Sequence, residues 1–427
     1  MLLTLVIISL FVLLIVGLPV SIAIGLPSLL YIIVEGTIPS FTAIQRMVSG
    51  PNSYTLLAIP FFIFAGNLMN TGGVTTRIFN FTSTLVGRFK GGLGHVNVVA
   101  SIIFAGMSGA AIADAGGLGA VEIKAMRDEG YDEAFTVGIT ASSSTIGPII
   151  PPSMTMVIYA VVAQASVGRL FAAGLVPGFL MGISLMFLIY FLADKYKCPI
   201  GKKSSLTEIW KSFKSAFFSL LTPVIIIGGI FSGIFTPTEA AAVASFYAII
   251  LGFFIYREMN WKSFYQAAKE SMLTTVSIMF IVASAMLFAW ILAREQVPQT
   301  VASMILQWTD NYYIILFSIN ILLLIVGCFM ETVAAINILV PVFLPILTEL
   351  GVSPVQFGVI MILNLMIGLL TPPFGSVLFV LSSIAKTPFE RVAKATAIFI
   401  IPLIVVLILI VLFPQLTLFI PNVVFGP

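Results

Sequence analysis

Charge, histidine and cysteine are all scarce in this sequence. Asp, Glu, Lys and Arg make up 9% of its 427 residues, with one histidine and two cysteines. Soluble domains carry about a quarter charged residues, so a chain facing water on all sides is excluded. Cys198 lies beside a basic loop and Cys328 inside an apolar segment, an arrangement that offers neither a disulfide nor a metal site. Direct ATP hydrolysis is excluded as well, because Gly201-Lys202-Lys203-Ser204 lacks the upstream glycine of a phosphate loop. The formal net charge of +3 is too small to point to nucleic acid. The first apolar run has no charged leader and no small-residue cleavage site, so it reads as a retained span and not as a signal peptide.

What fills the chain is apolar surface. Hydrophobic residues reach 59%, with a mean hydropathy of +1.15. Runs such as 2–34 and 395–413 are at or beyond the ~20 residues that a helix needs to cross a bilayer. Spans are expected at about 1–17, 18–35, 55–75, 134–166, 170–193, 216–235, 237–256, 271–293, 355–385 and 395–415. Two further stretches, 93–126 and 312–347, are long and apolar but interrupted by small or polar residues, and read as re-entrant hairpins. With both termini on the periplasmic side, all but three of the 20 basic residues fall on the cytoplasmic side. These include Lys195, Lys197, Lys202, Lys203, Lys211 and Lys214; the exceptions are Arg46, Arg169 and Arg294. Reading 1–35 as two spans, not one, preserves this positive-inside asymmetry.

The chain also repeats itself at an offset of 221 residues. Gly106 pairs with Gly327, Gly130 with Gly351, Ile146-Gly147 with Ile367-Gly368, and Pro151-Pro152 with Pro372-Pro373. Five spans and one hairpin per half invert the second half relative to the first. The expected class is therefore an all-α polytopic membrane protein of two inverted repeats, with two re-entrant hairpins and two discontinuous helices. The first repeat covers 1–200, a basic connector 201–215, and the second repeat 216–427.

Four segments carry the chemistry. The first half holds Gly106-Met107-Ser108-Gly109-Ala110-Ala111, and Ser142 to Pro148 followed by Pro151-Pro152-Ser153. The second holds Gly327-Cys328-Phe329-Met330-Glu331-Thr332, and Asn364 to Gly368 followed by Thr371-Pro372-Pro373-Phe374-Gly375. A Pro-Pro pair opens a helix, and the freed carbonyls must find protein, water or a cation. A helix restarting after the break turns its amide groups toward an anion. Ser108, Ser143, Thr332 and Asn364 are the best side-chain contributors, and Ser143 and Asn364 are equivalent under the offset. Small residues at such positions can also serve only packing.

Three acids lie within apolar stretches, where charge is costly and usually functional. Asp114 and Glu331 follow the hairpin turns and suit cation binding or support of the tip. Glu239, behind Thr236, suits a helix N-terminal acid. Since no Lys or Arg lies deep in a span, an anion must meet helix ends, hydroxyls and bound cations. A protease reading rests on Gly106-Met107-Ser108-Gly109, the short form found in rhomboid-type enzymes, with His95 as its sole base.

At these residues the chain resembles the large membrane subunit of tripartite ATP-independent periplasmic (TRAP) transporters, along essentially its whole length. The most specific pieces are Phe235-Thr236-Pro237-Thr238-Glu239-Ala240-Ala241-Ala242, Gly147-Pro148-Ile149-Ile150-Pro151-Pro152-Ser153, Gly351-Val352-Ser353-Pro354-Val355-Gln356-Phe357-Gly358 and Thr371-Pro372-Pro373-Phe374-Gly375. The first tip departs from the family's Ser-Gly-Ser, having Ser108-Gly109-Ala110. The resemblance implies an elevator-type ion-transporter-like fold and Na⁺-driven import of a small organic anion, of sialic-acid type before C4-dicarboxylate. It implies two partners, a four-span membrane subunit and a soluble periplasmic binding protein. One Na⁺ is expected between Ser108-Gly109 and Ser143 to Gly147. A second is expected among Gly327, Met330, Thr332, Asn364 and Gly368. The substrate carboxylate is expected between Pro152-Ser153 and Thr371, Pro372, Phe374 and Gly375. A stand-alone cation/dicarboxylate symporter of related architecture and a channel are the competing readings.

Overall fold

The computed structural model describes residues 2–201, 204–308 and 311–426. Lys202 and Lys203 of the basic connector lie outside the described residues. The chain opens with α1 (Leu2–Ile15) and α2 (Val20–Glu35), two helices as expected, parted at Gly17, whose φ of +88° suits glycine. Next come α3 (Phe41–Ser49), α4 (Ala58–Thr71), entered through a short tight turn at Tyr54–Leu57, and α5 (Val74–Val86). The first hairpin follows, α6 (Gly92–Ser108) returning as α7 (Ala111–Gly116) and α8 (Leu118–Asp128). A broken helix, α9 (Glu133–Ser144) and α10 (Met154–Ala163), leads to the long α11 (Val167–Lys195).

The second half runs α12 (Leu206–Phe231), α13 (Pro237–Ile250), α14 (Trp261–Arg294) and α15 (Val297–Trp308). Its hairpin is α16 (Tyr312–Phe329) and α17 (Thr332–Glu349), and its broken helix is α18 (Pro354–Gly368) and α19 (Ser376–Ala385). The chain closes with α20 (Phe389–Leu412) and α21 (Gln415–Phe425). Among the described residues, eight helical stretches are long and apolar enough to cross a membrane. The only extended pairing among them is an isolated bridge between Lys90 and Ile200.

Four helices were not among the expected spans: α3, α5, α15 and α21. In α3 and α5 polar residues alternate with apolar ones at helical spacing, as in Val74-Thr75-Thr76-Arg77-Ile78-Phe79, which lowers the averaged hydropathy without removing the apolar face. The start of α13 follows from sequence chemistry. Thr236 accepts from the Glu239 amide at 3.3 Å, and the Glu239 carboxylate accepts from the Thr236 amide at 2.8 Å, a reciprocal cap with Pro237 in the first turn. Glu239 is thereby accounted for as a helix-start acid.

The helices can be described as two groups that also pack on each other, α5 on α6 and α14 on α17. In one, α2, α3 and α4 pack on α14, α13 packs on α4, and α12 on α13 and α5. In the other, each hairpin packs on its own broken helix, α6 on α9 and α16 on α18, with α20 on α9 and α11 on α20 and α21. The repeat is visible in the turns. Gly130 and Gly351 both take positive φ, at +79° and +81°. The Tyr131 amide donates to the Met126 carbonyl, and the Val352 amide to that of Leu347, both at 2.9 Å. The Pro151-Pro152 and Pro372-Pro373 bonds are both cis.

Candidate functional site

Each hairpin tip is held against the break in its own half. A Cβ on Gly109, whose φ is +61°, would lie 3.1 Å from the Ser153 Cα and run into the Pro152 carbonyl, so this tip needs glycine twice over. Gly147 faces Ala110 of the same tip, its Cβ position 3.8 Å from the Ala110 nitrogen. In the second half a Cβ on Gly368 would lie 2.6 Å from the Gly327 Cα, which brings α16 and α18 into backbone contact. The Phe374 amide donates to the Cys328 carbonyl at 3.4 Å, and the Phe374 ring lies edge-on to Phe329.

The two broken helices are pinned by one device used twice. The Ser143 hydroxyl donates to Asn97 Oδ1 at 2.5 Å, and Asn97 Nδ2 donates to Thr140 Oγ1 at 2.8 Å. In the other half Asn364 Nδ2 donates to Asn320 Oδ1 at 2.7 Å. Asn97 and Asn320 sit on the outgoing arm of each hairpin and were missed in the sequence. They are separated by 223 residues instead of 221, so a fixed-register comparison passes over them. A lone asparagine in an apolar helix was the available signal.

Several buried oxygens have no partner. The Ser108 and Thr332 hydroxyls, Asn364 Oδ1 and the Ser142 hydroxyl are buried and make no hydrogen bond. Leaving such groups unpaired costs about 1–3 kcal/mol each, and hard oxygen donors suit an alkali or alkaline-earth cation. Of the expected cation residues, Ser108, Thr332 and Asn364 are thus the ones with an oxygen left unpaired. Ser143 is already engaged through its hydroxyl. Asp114 and Glu122 are both buried on the returning arm, each with a carboxyl oxygen unpaired. Glu122 was not singled out in the sequence because it reads as part of the polar stretch Glu122-Ile123-Lys124.

A cavity of about 470 Å³ lies between the two groups of helices. One wall is α4 and α14, with Asn67, Thr274 and Ser277 as polar points. The opposite wall takes one piece from each interruption: Ser108 and Ala110 of the first tip, Pro148 and Thr155 of the first break, Glu331 and Thr332 of the second tip, and Met366 and Leu369 at the second break. None of the expected anion residues Pro152, Ser153, Thr371, Pro372, Phe374 and Gly375 lines this cavity. Ser153 is buried, donates to the Pro148 carbonyl at 2.5 Å and caps the Met156 amide. Thr371 donates to the Ile367 carbonyl at 2.9 Å, while Pro372 and Phe374 are exposed and Gly375 takes φ +43°. The first break is thus closed over and the second is open.

The geometry removes the protease reading. His95 and Ser108 stand on the same straight helix, α6, roughly 20 Å apart at 1.5 Å per residue, and His95 Nε2 is paired with the Lys90 carbonyl at 3.1 Å.

Comparison with known proteins decides the family. Residues 7–416 match the family model described as "Tripartite ATP-independent periplasmic transporter, DctM component". The chain belongs to the DctM family. It is thus a TRAP transporter large permease and not an enzyme. It is 48% identical over 399 residues to the sialic acid TRAP transporter large permease SiaM of Vibrio cholerae, covering 93% of each chain. It is 45% identical over 380 residues to the sialic acid TRAP permease SiaT of Haemophilus influenzae, 89% of this chain and 62% of that one. To the C4-dicarboxylate large permease DctM of Pseudomonas aeruginosa it is 44% identical, over 86% of each. The fold is shared with the YdaH transporter of Alcanivorax borkumensis, at a TM-score of 0.66 and 12% identity over 88% of this chain and 87% of that one. The expected all-α fold, with a hairpin and a discontinuous helix in each half, is the observed one.

Proposed function

We propose that this DctM-family permease imports a small organic anion, sialic acid before a C4-dicarboxylate, across the bacterial inner membrane in symport with Na⁺. The carrying observation is the single cavity bordered by both hairpin tips and both breaks on one wall and by α4 and α14 on the other. In this reading the group holding the hairpins and broken helices slides as an elevator against the other group. Na⁺ is cargo, taken by the unpaired oxygens of Ser108, Thr332 and Asn364 with the neighbouring backbone of Gly109, Gly147, Gly327, Met330 and Gly368. The substrate carboxylate meets the restarting helices α10 and α19, at Pro152-Ser153 and Thr371 to Gly375. Asp114 and Glu331 support the tips. The termini face the periplasm. A periplasmic binding protein delivers the anion, and a small four-span subunit completes the membrane part. Identities of 48% and 45% to the sialic-acid permeases, against 44% to the C4-dicarboxylate one, favour sialic acid.

The test is uptake into proteoliposomes containing this chain with its small subunit, across sialic acid and C4-dicarboxylates, with and without the binding protein. Uptake of sialic acid only in its presence is expected. Uptake that ignores the binding protein would reassign the chain as a stand-alone symporter, and uptake of dicarboxylates alone would overturn the substrate.

A further inference from the structure

Two of the three arginines that break the charge asymmetry converge on one tryptophan. The Arg46 guanidinium lies 5.4 Å and that of Arg294 5.8 Å from the Trp290 ring. The third, Arg169, donates to Asn422 Oδ1 at 2.9 Å and is engaged elsewhere. Arg46 and Arg294 are exposed. Among the described residues the ion pairs are Arg77–Glu258, Lys90–Asp194 and Arg127–Glu133, so neither guanidinium has a carboxylate within bonding distance. The adjacent Glu295 accepts the Tyr31 hydroxyl, and Arg294 donates to Thr37 Oγ1 at 3.3 Å. Two like charges gathered at one ring repel each other, and an anion between them reverses that cost.

The surroundings say which anion. On α3, Phe41, Ile44 and Val48 recur at helical spacing and are 71%, 60% and 60% exposed, while Ala43 is buried toward the protein. The helix packs on α14, which carries Trp290 and Arg294. An apolar stripe turned outward beside a polar face is the pattern of a helix lying in a membrane surface, and tryptophan is enriched at headgroup depth. A guanidinium binds phosphate through paired, charge-assisted hydrogen bonds. We infer that Arg46, Trp290 and Arg294 form a site for the phosphate of an anionic phospholipid, whose acyl chains lie along Phe41, Ile44 and Val48. The site stands apart from the transport cavity and anchors the α2–α4–α14 group in one leaflet.

The experiment measures binding of phosphatidylglycerol to the purified, delipidated permease, by native mass spectrometry and by thermal shift, with phosphatidylcholine and inorganic phosphate as the other probes. Phosphatidylglycerol is expected to bind and stabilise the wild type. In R46Q/R294Q its apparent dissociation constant should rise roughly 10- to 30-fold, as loss of two basic contacts at a membrane surface implies. R169Q should behave as wild type, and the single variant R46Q should give a smaller rise if the double variant elutes as aggregate. Equal stabilisation by inorganic phosphate, equal binding of phosphatidylcholine, or unchanged phosphatidylglycerol binding in both variants would overturn the lipid site. So would intact lipid binding with lost affinity for a periplasmic binding protein, which would make the patch a protein-docking surface.

Discussion

At the scale of residues, the unpaired oxygens and the paired ones predict opposite behaviour. Ser108 and Thr332 have buried hydroxyls with no partner, so Ser108→Ala and Thr332→Ala remove a desolvation cost and break no bond. Thermal stability in Na⁺-free buffer should therefore be unchanged or higher, while the stabilisation gained on adding Na⁺ shrinks. A lower Na⁺-free stability with the Na⁺ gain intact would take these groups out of the cation sites. Asn97 and Asn320 are bonded to the broken helices, and replacing either with alanine removes buried hydrogen bonds worth about 0.5–1.5 kcal/mol each, while Ser143 keeps the Thr140 carbonyl and Asn364 the Asn320 carbonyl. Those variants should unfold earlier with and without Na⁺. A third expectation concerns Cys198, in the loop after α11, whose thiol burial and the nearby Asp132 push up to about 11. Only the thiolate reacts. In a Cys328→Ala background, alkylation at pH 8 should run roughly a hundredfold slower than for a free thiol and should still be climbing at pH 10. A plateau by pH 9 would contradict the half-buried placement beside Asp132.

At the scale of elements, glycine at the contact of α16 and α18 is a packing requirement. A methyl at position 368 would press into the Gly327 backbone, and overpacking of this kind costs about 1–3 kcal/mol. Gly368→Ala should thus lower thermal stability and slow uptake together; normal values for both would show that the helices can separate at no cost. The hairpins and breaks were legible in the sequence because small, polar and proline residues stand out in apolar runs, and the expected hairpin boundaries differ from the observed helices by only a few residues. Helices α3 and α5 were not legible, since amphipathic segments average to low hydropathy. The difference between a closed first break and an open second one was not legible either. Both contain Pro-Pro, and only the packing around them decides which is covered.

At the scale of the whole molecule, the halves are tied where the first and second broken helices meet. Arg127 pairs with Glu133 and donates to the Ala385 carbonyl at 2.5 Å, and Thr387 donates to the same Glu133 carboxylate at 2.8 Å. Half-exposed pairs contribute little, about 0.2–1 kcal/mol, so Glu133→Gln should cost thermal stability modestly. If it costs nothing, the tie between halves lies in apolar packing alone. The Tyr159 hydroxyl, donating to the Pro354 carbonyl at 2.7 Å, joins the same two segments deeper in the molecule. Together these contacts tie the two broken helices to each other, which the proposed elevator movement requires. The most direct test is the Na⁺ dependence of uptake by the reconstituted transporter supplied with its binding protein. Uptake should need an inward Na⁺ gradient, and Ser108→Ala or Asn364→Ala should raise the Na⁺ concentration for half-maximal rate. Uptake at full rate without Na⁺, or variants with unchanged Na⁺ dependence, would contradict the paired cation sites.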